Sequence, residues 1–332
     1  MILAISLSLL LILSILVAVH FAEVLAHKFG QPYGSLVLAV AVTTIEVALI
    51  VSILLSRTPG SEAIVRDSIF ATIMIVCNGL VGICLLIGAL KYNETIFKVD
   101  GTNITLGLLI TSSTLAFVLP SYDTSTPGPN YTPDQLFGVS IACIIIYATY
   151  VYAQMFRHKQ MFLPPGIIQI ALGQESNNRI STKKTILSFM ALVIALVAVV
   201  LLSKNLAPYI EQAVRAVRAP QSLVGVIIAF IVLLPECFMA IRQALDNKMQ
   251  ISFNLALGSG LASIGLTIPI VAVISIASGI TLMLGLDPKS LVFLLLTFIM
   301  SILTISTGKA TFAQGMMHII IFLAYIRFNI TP

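Results

Sequence analysis

Charged residues are scarce in this chain. Asp, Glu, Lys and Arg make up 9% of its 332 residues, whereas hydrophobic residues make up 58% and the mean hydropathy is +1.07. Soluble globular domains have about a quarter of their residues charged, so the composition excludes that class. It predicts an all-α polytopic membrane protein, because apolar helices satisfy their own backbone hydrogen bonds inside a bilayer.

Other features that the sequence lacks exclude further classes of function. The sequence has no phosphate-binding loop of the Gly-x4-Gly-Lys-Ser/Thr type, so we do not expect this polypeptide to pump with ATP. Its net charge of +5 is spread over short loops, which argues against a nucleic-acid partner. The cysteines fall inside apolar stretches, where a disulfide framework is unusual, and we interpret them as small buried hydrophobic residues. They are Cys77, Cys84, Cys143 and Cys237.

The apolar run from Ile2 to Val19 resembles a secretory signal sequence, but no basic residues precede it. It continues without interruption into a more polar stretch that contains His20, Glu23 and His27. We therefore expect this run to be retained as the first membrane helix.

Apolar runs of about twenty residues, the length that crosses a bilayer as a helix, occur in two groups of five. The first group lies near residues 3–27, 34–56, 66–90, 104–120 and 136–156, and the second near 185–204, 221–245, 250–281, 290–307 and 310–328. Because each group holds an odd number of spans, the second group enters the membrane in the opposite sense from the first. The sequence thus predicts ten transmembrane helices in two inverted-topology repeats, residues 1–156 and 185–332, which form a complete pair.

The longest polar interval, residues 157–184, separates the two repeats. Its basic residues are Arg157, Lys159, Arg179, Lys183 and Lys184. The positive-inside rule predicts that this linker is cytoplasmic. The same orientation places the 91–98 turn inside and the 121–134 loop, which has no Lys or Arg, outside. We expect an integral protein of a bacterial-type inner or plasma membrane, in contact with lipid.

Two glutamates lie deep inside apolar spans, at corresponding places in the two halves. The first half reads Glu23, eight residues, Pro32 and then Glu46, and the second reads Glu211, eight residues, Pro220 and then Glu236. Intramembrane carboxylates are costly, and they usually mark ion or proton pathways. In inverted repeats the substrate site lies near the midplane, where the halves meet. We therefore predict that Glu46 and Glu236 form one cation site.

Further polar groups on the second and third spans of each half are candidate ligands. They are Thr43, Thr44, Asn78, Ser259 and Ser263. Pro235, directly before Glu236, removes a backbone donor and leaves carbonyl oxygens free to face a cavity. Carbonyl and carboxylate oxygens suit Ca²⁺ and, with less charge, Na⁺. The serines and Asn78 could instead be polar residues that only pack helices together.

These residues resemble a known family. The pattern around Glu46, together with Leu-Pro-Glu236 and the later Asn254-Leu-Ala-Leu-Gly-Ser259, is similar to the two α-repeats of the calcium/cation antiporter superfamily. The stretches His20 to Ser35 and Ser306 to Gly308 resemble its bacterial calcium/proton antiporter branch. The resemblance spans nearly the whole chain. It implies ten core helices and alternating access, with exchange of a cation for protons at Glu46 and Glu236 and no cofactor.

A mechanism follows if one site holds either a divalent ion or protons. Two facing carboxylates repel each other, so we expect at least one to hold a proton until a cation displaces it. The leading hypothesis is exchange of Ca²⁺ for H⁺. Ser259 and Ser263 stand where many relatives place Gln or Asn, so exchange of Na⁺ or K⁺ for H⁺ stays open.

Other polar residues lie nearer the helix ends. We assign Glu23, Glu211, His20 and His27 to proton relay or gating, although an ordinary solvated acid would also suit both glutamate positions. His20, Glu23 and His27 share one helical face, which leaves an intramembrane metalloenzyme as an alternative from another class. The duplicated acids favour a transporter over an enzyme.

Overall fold

A computed structural model describes residues 2–29, 33–57, 60–164, 182–216, 220 and 222–330 of the chain. Helices make up nearly all of this part. The first half contains α1 (Ile2–Phe29), α2 (Tyr33–Ser56), α3 (Ser61–Met74), α4 (Val81–Tyr92), α5 (Val99–Ser113) and α6 (Pro133–Tyr152). The second half contains α7 (Thr182–Ala216), α8 (Ser222–Leu245), α9 (Met249–Ala262), α10 (Ile268–Ser278), α11 (Pro288–Ser306) and α12 (Phe312–Ile330).

The ten predicted spans are confirmed. Within the described residues, nine segments are long and apolar enough to cross a membrane, and α8 supplies a tenth as a bent span. Their ends lie within a few residues of the predicted ones, except that α7 continues through Pro208 to Ala216. Because α7 packs along α1, tertiary contacts support the helix beyond the point where its apolar run ends. Residues 165–181 of the predicted linker lie outside the described residues.

The third span of each half forms the centre of the molecule. The segment Ser61–Tyr92 is 78% buried and Met249–Ser278 is 67% buried, more than the other continuous spans. Each is interrupted by a short π-helical stretch, Ile75–Leu80 between α3 and α4 and Ser263–Thr267 between α9 and α10. Such stretches widen the helix and often occur at functional sites. The inverted halves therefore place two similar, irregular helices in the core.

The connections between spans gather on two opposite surfaces. One, which we call the strand-bearing surface, carries β1 (Thr95–Ile96) paired antiparallel with β2 (Lys309–Ala310), and residues 157–164 and 245–248. There Lys98 Nζ donates to the carbonyl oxygen of Gln160 at 2.6 Å. On the opposite surface, the backbone N–H of Met283 donates to the carbonyl oxygen of Glu62 at 3.1 Å. The two groups of connections fit spans that cross the membrane alternately.

The α8 helix bends where its sequence contains Pro235. Its parts Ser222–Leu234 and Glu236–Leu245 meet at 54°. Proline lacks a backbone N–H and crowds the preceding turn, which is a common cause of sharp kinks. The bend places Glu236 at the first position after the break, near the middle of the span.

Candidate functional site

Glu46 lies near the middle of α2 and is 3% exposed. Its Oε1 atom accepts a hydrogen bond of 2.6 Å from the Ser263 hydroxyl, at the start of the π-helical stretch of the second half. The same oxygen accepts a longer bond of 3.3 Å from the hydroxyl of Thr72 on α3. Two hydroxyl donors from opposite halves thus meet on one carboxylate oxygen, which fixes the direction of the side chain.

Glu236 is 2% exposed, and its Oε2 atom accepts a hydrogen bond from the Ser259 hydroxyl on α9. Ser259 and Ser263 are four residues apart, so they lie on one face of the third span of the second half. Glu236 is also near enough to Glu46 for their charges to interact electrostatically. One helical face therefore bonds both carboxyl groups, as a single shared site requires.

A small cavity adjoins Glu236. The space in it that is open to the centre of a water molecule is about 10 Å³. This is enough for one water. Its lining residues are Leu36, Ala39, Tyr147, Tyr150, Gln154, Glu236, Asn254, Leu255, Gly258 and Ser259. The polar members come from the fifth span of the first half, from α8 and from α9, so three spans bring oxygen and nitrogen atoms to one buried volume.

Two glycines allow α6 to approach this site. A Cβ atom on Gly258 would lie 2.5 Å from Tyr150 Oη, and one on Gly265 would lie 2.5 Å from Tyr147 Cβ. Both distances are too short for real contacts. The absence of side chains at these two positions therefore lets both tyrosines pack against the third span of the second half.

The structure separates the other predicted ligands. Thr43 is buried, whereas the Thr44 side chain is exposed and its hydroxyl donates to the carbonyl oxygen of Val40 on its own helix. The Asn78 amide is buried, but it donates to Thr297 Oγ1 at 2.8 Å and its Oδ1 lies 3.1 Å from His318 Nδ1. Neither Thr44 nor Asn78 is joined to a glutamate by these bonds.

The predicted relay residues lie on α1 and α7. The His20 side chain is exposed, and its ring packs on Phe21 with the centroids 5.4 Å apart. The side chains of Glu23, His27 and Glu211 lie outside the described residues. Among the side chains that are described, no three His, Cys, Asp or Glu residues are grouped so that they could hold a metal ion.

Sequence reasoning missed several residues of this region. Thr72, Tyr147 and Gln154 lie beside the carboxylates or line the cavity. His318 is fully buried on α12, where Nε2 lies 3.0 Å from Thr304 Oγ1. All four are polar residues in mostly apolar spans, so their residue types are visible in the sequence. Nothing in the order of the residues shows which helix each of them faces.

The chain is similar in sequence to known cation transporters. The model of the sodium/calcium exchanger protein family matches residues 1–156 and 187–331. The y4hA protein of Sinorhizobium fredii is 39% identical over 319 residues, which cover 96% of this chain and 86% of the relative. The sodium-potassium/proton antiporter ChaA of Escherichia coli is 30% identical over 308 residues, 93% of this chain and 83% of the relative. The Ca²⁺/H⁺ antiporter ChaA of Bacillus subtilis is 25% identical over 296 residues, 88% and 82% of the two chains.

Solved structures share the fold. Native YfkE superposes with a TM-score of 0.76 at 20% identity, covering 98% of this chain and 92% of that one. The H⁺/Ca²⁺ exchanger CAX superposes with a TM-score of 0.73 at 16% identity, covering 98% and 82%. With the family match over both halves, these similarities show that the chain belongs to the sodium/calcium exchanger protein family, within the calcium/cation antiporter superfamily, and is an integral membrane cation antiporter, not an enzyme.

Proposed function

We propose that this chain exchanges Ca²⁺ for H⁺ across the membrane by alternating access at a midplane site built around Glu46 and Glu236. Ser259, Ser263 and Thr72 supply the neighbouring hydroxyl groups. The observation that carries the proposal is the pair of buried carboxyl groups, one from each half, bonded by hydroxyls on one helical face.

Charge balance explains the coupling. Two ionised carboxylates carry two negative charges, which one divalent cation neutralises and which two protons also remove. In a low-dielectric site an unneutralised pair is strongly disfavoured. The site is therefore stable when it holds the cation or the protons, and exchange of one for the other requires no ATP.

The hydrogen-bonding groups give the site its cation chemistry. Carboxylate and hydroxyl oxygens are hard ligands, and Ca²⁺ takes six to eight of them in flexible geometry. When the cation binds, Ser263 and Ser259 can turn their hydroxyl protons away from the carboxylates and present oxygen lone pairs. The cation would thus replace the hydrogen bonds that hold the carboxyl groups in its absence.

Alternating access follows from the two halves. In inverted repeats, rocking of one part against the other exposes the central site to each side in turn. We assign residues 1–156 and 185–332 to the two repeats and residues 157–184 to a cytoplasmic linker, which makes the strand-bearing surface cytoplasmic. The basic residues Lys91, Lys98, Arg157, Lys159 and Lys248 support this orientation. In this scheme Glu23 and Glu211 relay protons near the ends of α1 and α7.

A second candidate is exchange of Na⁺ or K⁺ for H⁺ at the same site. The observation that favours it is the similarity to the Escherichia coli relative, which is named a sodium-potassium/proton antiporter. A monovalent cation would neutralise one carboxylate and leave a proton on the other. The two candidates therefore differ in how many protons each cation displaces.

The experiment is a flux assay in reconstituted vesicles. A pH gradient with an acidic vesicle interior is imposed, so that protons leave as cations enter. Uptake of Ca²⁺, Na⁺ and K⁺ is measured separately and compared with protein-free vesicles. The proposal predicts Ca²⁺ accumulation driven by the pH gradient and abolished by a protonophore. Accumulation of Na⁺ or K⁺ with no Ca²⁺ movement would establish the second candidate.

A further inference from the structure

Two buried polar atoms beside Glu236 have no hydrogen-bond partner among the residues that the structure describes. They are the hydroxyl oxygen of Tyr147 and Nε2 of Gln154, on the fifth span of the first half. Tyr147 is 8% exposed and Gln154 is 1% exposed. Buried polar atoms are nearly always satisfied by protein or by ordered water. The two unpaired atoms therefore indicate that an ordered water is their hydrogen-bond partner.

The cavity beside Glu236 is where such a water fits. Both residues line it together with Glu236, and the space of about 10 Å³ that is open to the centre of a water molecule suits one water. Tyr147 also lies near enough to Glu236 for electrostatic interaction with its charge. A hydroxyl, an amide N–H and a carboxyl oxygen give one water the three partners that buried waters usually have.

Asn254 and Ser259, two other polar residues of the cavity, already have hydrogen-bond partners. Asn254 Nδ2 donates to the carbonyl oxygen of Phe162 at 2.6 Å, and its Oδ1 accepts from Gln250 Nε2 at 3.2 Å. In this wall of the cavity, Tyr147 Oη and Gln154 Nε2 are the buried polar atoms without a hydrogen-bond partner among the described residues.

The cavity lies between Glu236 and the strand-bearing surface. Gln154 is within the last turn of its span, which ends at Arg157 on that surface. Asn254 is in the second turn of α9, which begins there at Met249, and Leu36 is in the first turn of α2. A water in this position would connect the carboxyl group of Glu236 to one side of the membrane.

We propose that Tyr147 and Gln154 hold a water that serves as the proton port of Glu236 toward the strand-bearing surface. The Glu236 carboxyl gives its proton to this water, which passes one of its own protons to the next water toward the surface. Tyr147 and Gln154 orient the water and keep their own protons, so they are positioning residues. The space in the cavity suits a single water, which is sufficient to carry a proton.

The inference rests on the proposed cation/proton exchange, and the test separates the two. In proteoliposomes, uptake of radiolabelled Ca²⁺ is measured in two modes, driven by a pH gradient and by counterflow of unlabelled Ca²⁺. Counterflow replaces one Ca²⁺ with another and needs no proton to leave Glu236. We expect Tyr147→Phe and Gln154→Met to slow pH-driven uptake about tenfold while counterflow stays near wild type. The matched control is Tyr152→Phe, because Tyr152 is on the same helix but 58% exposed, and both of its rates should be unchanged.

The two uptake rates show whether the proposed proton port is correct. Equal slowing of both modes by Tyr147→Phe would make Tyr147 a structural residue or a cation ligand and overturn the port, and so would wild-type rates in both modes. Thermal unfolding of each variant shows whether equal slowing comes from lost stability. If wild-type protein itself shows counterflow but no pH-driven uptake, the proposed proton exchange fails, and the port fails with it.

Discussion

The hydroxyl of Ser263, in the second half, donates a hydrogen bond of 2.6 Å to Oε1 of Glu46, in the first half. This bond joins the two repeats at the depth where the sequence predicts the ion. It also means that a carboxylate of one repeat is positioned by a side chain of the other. Movement of one half against the other must stretch or break this contact.

We expect Ser263→Ala to raise the half-saturating cation concentration about tenfold. In the proposed site the Ser263 hydroxyl oxygen becomes a ligand of the cation, and such a contact with a charge is worth roughly 1.5–3 kcal/mol, while Thr72 still positions Glu46. The measurement is initial uptake at varied cation concentration. Ser140→Ala is the control, because Ser140 is also buried but donates to Leu136 of its own helix. Equal saturation curves for wild type and Ser263→Ala would show that the contact is incidental.

The close approach of α6 to α9 predicts a contrast between two glycines. Alanine at Gly258 would place its Cβ 2.5 Å from Tyr150 Oη, whereas at Gly260 the nearest atom is 3.7 Å away. Overpacking of this kind costs about 1–3 kcal/mol, so Gly258→Ala should lower the thermal unfolding temperature by several degrees and reduce transport. Gly260→Ala should leave both near wild type, since the added methyl fits and alanine favours a helix. Similar melting temperatures for the two variants would contradict the packing described.

The contacts of Asn78 favour a role in packing. Asn78 Oδ1 can only accept a hydrogen bond. In the 3.1 Å contact between the two side chains, the donor is therefore the N–H at Nδ1 of His318. Replacing Asn78 with Ala leaves Thr297 and His318 without this partner, at a cost of about 1–3 kcal/mol. We therefore expect Asn78→Ala to lower the unfolding temperature but to keep the stabilisation that added cation gives. Loss of that cation effect would instead support the ligand role that the sequence predicts.

Competition between protons and the cation predicts the direction of the pH effect. Both occupy the same carboxyl groups, so a lower pH on the cation side should weaken cation binding. The half-saturating concentration should rise by about tenfold per pH unit for each proton displaced, over the range where the site titrates. Saturation curves at several pH values measure this slope, and a slope near two favours Ca²⁺ over a monovalent ion. A pH-independent value would contradict a shared site.

The sequence was sufficient to predict the fold. Ten apolar runs in two odd-numbered groups correspond to the spans that the structure contains, because each helix must hide its backbone from lipid. The helix break at position 235 was also predictable from its proline. The end of α7 was not, since packing along α1 continues the helix past its apolar run.

The candidate site was predictable only in part. Glu46 and Glu236 stood out because acids are rare in apolar spans, and the serines lay on the next helix. The partners of each residue depend on which helices touch, and sequence order does not contain that information. For example, the sequence does not show that Asn78 contacts Thr297 on α11 and His318 on α12. Likewise, Tyr147 and Gln154 of the fifth span of the first half line the cavity beside Glu236.

The most direct test of the central claim is cation-coupled proton release by purified protein in lightly buffered detergent solution. Adding Ca²⁺ to wild type should release protons into the solution, because the cation displaces them from Glu46 and Glu236. Glu46→Gln and Glu236→Gln should each release few or none, while Glu62→Gln, an acid at the opposite surface, should behave as wild type. Undiminished proton release in both Glu46→Gln and Glu236→Gln would contradict the account.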